Sequence, residues 1–302
     1  MTNHPQVVVL NGNLYVGGGY TSQNEDAATI LEFICSESPL KWRKLPQCNV
    51  KDFGLAAVSD KLVTVGGTDI VSYKKSNEIF QLVPGAQVVK WEKSEFPPLQ
   101  ESRSNPYTVT YKKWLVVIGG DGESGMLNTV VKLNTSVNES AWLNCPPFPV
   151  KVSEMSAAIV DNKLYVFGNT VSSSMGGINS QSKSVFCATP DLLVSAPVEL
   201  QSVWTQLPDV PLKASTALSA VLPRSELFAV GGIEKSTQRA SRNVYYYKPD
   251  SKEWCKYCDL PKAVYQCACI QLPGDYRILI IGGSTGHTCK GAAILCVKFY
   301  DY

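Results

Sequence analysis

The sequence predicts an all-β protein of six radially arranged four-stranded units, and three observations carry that prediction. A pair of glycines closes an apolar stretch at regular intervals, a tryptophan recurs in phase with it, and no stretch of useful length shows the i, i+3, i+4 apolar stripe of a helix. The glycine pairs are Gly17-Gly18, Gly66-Gly67, Gly119-Gly120, Gly231-Gly232 and Gly282-Gly283, with a degenerate copy at Gly168-Asn169. Their second positions lie 49, 53, 49, 63 and 51 residues apart. Trp42, Trp91, Trp142, Trp204 and Trp254 follow at steps of 49, 51, 62 and 50, each with a proline a few residues on: Pro46, Pro97, Pro146, Pro208 and Pro261. Of the six tryptophans only Trp114 falls outside the series.

Each unit opens with a hairpin. Polar breaks such as Asn11-Gly12-Asn13, Ser59-Asp60-Lys61 and Asp161-Asn162-Lys163 separate two β-branched runs. A polar loop follows each glycine pair, then a third strand such as 77–82, 129–133 or 243–248, and a fourth that carries the tryptophan. Four strands in about 50 residues fit a β-propeller, since a lone four-stranded sheet exposes both faces and radial neighbours cover them. The expected arrangement is one domain over 1–302 with blades near 6–46, 47–97, 98–147, 148–208, 209–261 and 262–302. At least four of the five repeat tryptophans are expected to be largely buried between blades. The fourth unit is the weakest copy, and its extra length near 189–203 is expected to form an outer loop. A sixth tryptophan would fall near position 305, beyond Tyr302, so the last blade is expected to lack its fourth strand.

Paired glycines, an aromatic third strand and a tryptophan 22–24 residues on resemble the kelch repeat, and the resemblance covers essentially the whole chain. It implies a six-bladed kelch-type propeller serving as a rigid protein-interaction platform, with a partner's peptide or loop bound by the long connections on one face. Those connections follow each glycine pair and each Trp–Pro element, and binding residues commonly sit on such loops over a stiff scaffold. The candidate partner-binding residues are Tyr20, Tyr73, Arg103, Arg239, Arg242, Tyr265 and His287, because tyrosine and arginine dominate interface hot spots. The alternative is a carbohydrate-directed enzyme using the central channel, which three or more convergent charged groups in a concave pocket would favour. Copper oxidases of this fold need ligand histidines and a Tyr–Cys pair, and the iron-dependent specifier proteins carry a Glu-x3-Asp-x3-His run. Neither set is present, so the chain is expected not to be an enzyme and to need no cofactor.

Composition narrows the classes further. A charged fraction of 18%, an apolar fraction of 44% and a net charge of +2 without a basic cluster exclude a disordered chain and give no footing for nucleic acid. No apolar run reaches membrane-spanning length, and the opening Met1–Pro5 lacks a signal-peptide pattern. The expected setting is therefore cytoplasmic, with the chain monomeric and its ten cysteines reduced. Cys255-x2-Cys258 with Cys267-x-Cys269 has a loose zinc spacing, but two thiols two apart on a strand share one face and are expected to pack as small hydrophobes. With His4 and His287 the only histidines, no metal site is expected.

Overall fold

In the computed structural model, the described residues are 4–19, 28–34, 41–169, 185–200, 203–212, 217–221, 226–234, 237, 239–271, 277–285 and 295–298. The strands alternate along the chain as predicted, each repeat running from an inner strand outward. Repeat one comprises Gln6–Leu10, Asn13–Gly17, Leu31–Ile34 and Lys41–Lys44, all antiparallel neighbours in that order. Repeats two, three and four form equivalent four-stranded sheets with inner strands Gly54–Val58, Tyr107–Tyr111 and Ser153–Val160. The inner strands touch in sequence around an axis, and the inner strand of repeat one also meets Glu253–Gln271. The molecule is thus an all-β propeller.

The sheet count departs from the prediction. Counted by hydrogen-bonded sheets there are five blades, not six, because repeats five and six merge into one six-stranded sheet. The cause is the strand Glu253–Gln271, which runs without a break. Its first part pairs with Ser241–Lys248 and its last part, from Tyr265, with Arg277–Ser284. The expected blade boundary after Pro261 therefore does not interrupt the strand. Among the described residues no strand pairs with the outer side of Leu295–Lys298. The apolar packing keeps the repeat count of the sequence, with six clusters, each lying between successive repeats. The sixth joins Leu279 and Ile281 to Leu14, Val16 and Phe33, so the ends of the chain meet through side chains.

The recurring tryptophan and proline are partners across blades. Trp91 donates its indole N–H to the carbonyl of Pro46 at 2.9 Å, Trp142 to Pro97 at 2.8 Å, Trp204 to Pro146 at 3.4 Å and Trp254 to Pro208 at 2.9 Å. Each ring thus reaches back to the preceding repeat, and the bond requires the two residue types to share one period. Trp42 instead stacks on Phe33, ring centroids 4.8 Å apart, within the cluster that joins the last repeat to the first. At least four rings were expected to be largely buried, and none of the five is fully exposed. Only Trp142 and Trp204, at 5% and 7% exposure, are buried, while Trp42, Trp91 and Trp254 are half-buried. Trp42, Trp91 and Trp254 keep part of their rings in water.

The glycine pairs work at the other end of the sheet. Gly66 and Gly67 have φ of 64° and 102°, and a Cβ on Gly66 would sit 2.6 Å from the Arg103 carbonyl. That carbonyl accepts a hydrogen bond from Gly67 N at 2.8 Å. Repeat three repeats the device, with Gly120 N bonded to Val152 O at 2.9 Å, and repeat five with Gly232 N bonded to Val264 O at 2.8 Å. In repeat one the pair with positive φ is Gly18-Gly19, one residue later than the sequence reading, because Gly17 still pairs with Gln6 in the strand. In repeat four Gly168 and Asn169 extend the strand Lys163–Asn169 and make no such turn.

The extra length of repeat four holds a short helix, Pro190–Ser195, where an outer loop was expected. Pro190 starts it, Leu193 and Val194 bury its inner side, and Lys132 donates to its Val194 carbonyl, so it docks on repeat three.

Two outcomes test this frame. Trp142→Ala should destabilise by about 3–5 kcal/mol, as expected for removing a buried indole, and Trp91→Ala by clearly less, because its ring is half in water; denaturant titration of both variants ranks them. Gly66→Ala should cost at least about 1–2 kcal/mol from its left-handed backbone alone, with the clash against Arg103 adding to it, measured in the same way.

Candidate functional site

One residue near the start of each inner strand, two places before Gln6, Gly54, Tyr107, Ser156 and Ala268, forms a ring around the axis. His4, Asp52, Asn105, Glu154 and Gln266 occupy these places, with φ of 54°, 54°, 50°, 50° and 58°. The equivalent of repeat five, Ser215, lies outside the described residues. Left-handed backbone at a residue other than glycine is costly and concentrates at functional or structurally pinned sites. Here hydrogen bonds between ring members pin it: Asn105 N donates to Asp52 O at 2.6 Å and His4 N to Gln266 O at 2.8 Å. All five side chains are polar.

These side chains converge on the channel mouth. His4 Nε2 lies 3.1 Å from Glu154 Oε2, linking repeat one to repeat four. Asp121, next to the glycine pair of repeat three, accepts from Ser153 Oγ at 2.7 Å and Asn105 Nδ2 at 3.3 Å. Burial pushes the Asp52 carboxyl up to about 6; the nearby carboxylates of Asp121 and Glu154 add to the rise, and Lys51 opposes it. One oxygen of Asp52 is buried without a hydrogen-bond partner. Next along the inner strand, buried Gln6 donates to Pro106 O at 2.6 Å and accepts from Leu55 N and Thr108 Oγ1, both at 3.1 Å. That side chain spans repeats one, two and three. Beside it opens a narrow funnel lined in part by His4, Tyr107, Glu154, Ser156, Gln266 and Cys267.

The sequence-predicted residues do not form one site. Arg103 is not a rim residue; it is 2% exposed. It replaces the valine that repeats two, four and six carry at the same place, Val50, Val152 and Val264, all buried. Its guanidinium donates to Gly119 O and Thr129 Oγ1, both at 3.1 Å, and lies 3.5 Å from a Glu101 oxygen. Burial lowers its pKa. Arg103 is therefore a strut under the glycine pair of repeat three. Arg242 is exposed, yet its Nε is engaged by Leu260 O at 2.6 Å. Arg239 is exposed in the loop after the glycine pair, and its carbonyl receives Glu234 N at 2.9 Å. Tyr265 is half-buried in its strand opposite Ser284. Tyr73 is 63% exposed, with Lys51 Nζ 5.5 Å from its ring centre. Tyr20 and His287 lie outside the described residues.

Sequence reasoning missed His4, Asp52, Glu154 and Gln266 as a set. The available signal was a polar residue at a constant offset before each inner strand, which requires the register of all repeats. The thiols of Cys267 and Cys269 are buried with Phe228 and Ile278, and burial drives the Cys269 thiol well above its ordinary range. Among the described residues no group of three or more His, Cys, Asp or Glu is placed to hold a metal ion. No helix among them is long and apolar enough to cross a membrane.

A propeller whose blades are stapled by phased glycines and tryptophans defines a repeat-propeller class, and known proteins bear this out. The chain is 25% identical over 270 residues to Adagio-like protein 3 of Oryza sativa, covering 80% of this chain and 40% of that protein. It is 23% identical over 287 residues to Kelch-like protein 36 of Bos taurus, covering 90% and 42%, and 22% identical over 249 residues to the Kelch repeat and BTB domain-containing protein 1 of cowpox virus, covering 81% and 40%. The solved structure of YjhT superposes with a TM-score of 0.73 at 14% identity, covering 98% of this chain and 95% of that one. No protein-family model matches. The chain is similar to kelch-repeat β-propellers, and it spans about two fifths of the length of these curated relatives.

The shifted carboxyl yields a prediction. With a folded value of about 6 against an ordinary 3.8, Asp52 binds a proton more readily folded than unfolded. Its burden on stability is absent below the lower value, grows as pH rises through the interval and stays above it. Asp52→Asn removes that burden, so its melting temperature should exceed that of the parent at pH 7.5 and match it near pH 4. Equal melting temperatures at pH 7.5 would show the carboxyl to be well solvated.

Proposed function

We propose that this chain is a protein-interaction module: a rigid propeller that holds a partner's segment against the face bearing the glycine-pair loops and the channel mouth. The carrying observation is the pinned ring of His4, Asp52, Asn105, Glu154 and Gln266, whose cross-blade backbone bonds fix this face before any partner arrives. A preorganised surface spends less binding energy on ordering. Kelch proteins among the relatives support the reading. In this reading the chain is not an enzyme and requires no cofactor. We also infer that the six apolar interfaces make six functional blades, with Glu253–Gln271 serving two of them.

The test compares two surface sets in affinity capture from the native source, with bound proteins identified by mass spectrometry. Lys74→Glu, Glu123→Lys and Arg239→Glu alter the proposed face; Asp60→Lys, Lys113→Glu and Asp161→Lys alter the hairpin turns at the opposite end. The first set should abolish capture of the same proteins that the second set retains. Capture indifferent to the first set, or lost only with the second, overturns the assignment of the face.

One observation favours a second reading, a small molecule in the channel. His4 and Glu154 line the funnel as an ion pair, and the carboxylates of Asp52 and Asp121 act on one another near it, which brings charged groups beside a concave opening. With Gln6 spanning the interior beside it, such a ligand enters from the mouth. Thermal-shift screening of amines and neutral sugars separates this reading from the first: a saturable shift lost in Glu154→Gln supports it, and no shift in either protein removes it.

A further inference from the structure

The loop after the glycine pair of repeat two has an unusual tip. Thr68–Asp69 pairs with Val50–Lys51, Thr68 also bridges to Lys75, and between them the chain turns through Val71, Ser72 and Tyr73. The equivalent hairpin of repeat three, Asp121–Gly122 with Gly125–Met126, places Glu123 and Ser124 at its tip, as a solvated turn normally does. In repeat two the tip shows Val71 at 82% exposure and Tyr73 at 63%.

That tip is rigid. Asp69 Oδ1 accepts from Val71 N at 3.1 Å, Ser72 N at 2.7 Å and Ser72 Oγ at 2.8 Å. Tyr73 N donates to Asp69 O at 3.0 Å, Asp69 N to Lys74 O at 2.9 Å, and Ile70 N to Asn49 O at 3.0 Å. The bonds from Ser72 hold the Asp69 carboxyl below its usual range. They also hold Tyr73 at a φ of 56°, a conformation an aromatic residue rarely adopts. Strain that displays an aromatic ring to solvent contributes nothing to a core.

The surroundings are cationic. Lys51 lies over the Tyr73 ring, Lys74 is exposed beside it, and Lys75 reaches across to Gly122 O at 2.6 Å. The Asp69 carboxylate is turned inward on its own loop. The apolar pair is therefore framed by positive charge.

We propose that Val71 and Tyr73, flanked by Lys51, Lys74 and Lys75, form a preformed docking knob for an acidic peptide segment carrying an aromatic or aliphatic anchor. The knob supplies the apolar contact, and the lysines attract the acidic flanks and set the register, a division of labour in which charge governs association and the buried anchor governs residence. The knob depends on the partner-binding reading of this face.

The experiment uses a random dodecapeptide display library selected on the immobilised chain, with enriched peptides synthesised, labelled and titrated by fluorescence anisotropy. The selected peptides should be rich in Asp and Glu around a large apolar residue and should weaken as salt rises. Val71→Ser with Tyr73→Ser should weaken them at least about tenfold, the loss expected of a hot-spot pair. Lys51→Ala with Lys74→Ala should weaken them mainly at low salt. Unchanged melting temperatures confirm that each variant folds. Peptides that bind the chain yet ignore Val71→Ser with Tyr73→Ser overturn the knob and leave the partner-binding face standing. A library that yields no binder overturns both.

Discussion

A hydrogen bond from an indole N–H to a proline carbonyl one repeat earlier is the contact on which the propeller's assembly turns. Four of the five repeat tryptophans make it, to Pro46, Pro97, Pro146 and Pro208. Each such bond is worth only about 0.5–1.5 kcal/mol net. Its larger effect is geometric: it sets the angle between neighbouring sheets, and thereby lets the apolar clusters form. At the opposite end of the sheets the glycine pairs do the same with backbone atoms alone, since Gly67, Gly120 and Gly232 donate to carbonyls of the following repeat. One device reaches backward and the other forward, so each blade is held on both sides.

The forward device also produces the site. Once Arg103, Val152 and Val264 present their carbonyls to a preceding glycine, the chain must turn within two residues to enter the inner strand. That turn puts Asn105, Glu154 and Gln266 in left-handed backbone with side chains at the axis. Polar residues suit those places because the mouth is wet, and the ring follows from how the blades are joined. Its electrostatic consequence is the elevated Asp52 carboxyl, which faces Asp121 and Glu154 across a partly desolvated mouth.

Arg103 shows how a loop position and a core position can share one sequence signature. It follows a Trp–Pro element and precedes a strand, where connections usually lie at the surface. Its equivalents in repeats two, four and six are buried valines, which marks the place as interior in those repeats. The guanidinium is accommodated by Gly119 O, Thr129 Oγ1 and Glu101 through its terminal nitrogens, while Nε is buried without a partner. Tyr73, read by the same rule, is at the surface because it sits at the tip of a hairpin with its own ladder.

Spacing alone determined the strand order, the repeat period, the antiparallel hairpins and the resemblance to kelch repeats, because glycines and tryptophans that bond to neighbouring blades must recur in phase. The first repeat's glycine register, the fusion of repeats five and six through Glu253–Gln271, and the helix at Pro190–Ser195 belonged to the tertiary structure. Each depends on whether a local break signal is overruled by pairing with a neighbour, as when Pro261 sits within a continuous strand. The channel mouth was likewise invisible along the chain. His4 and Glu154 are 150 positions apart in sequence and 3.1 Å apart in space, and only ring closure through Leu14, Val16, Leu279 and Ile281 brings the first residues round to the axis.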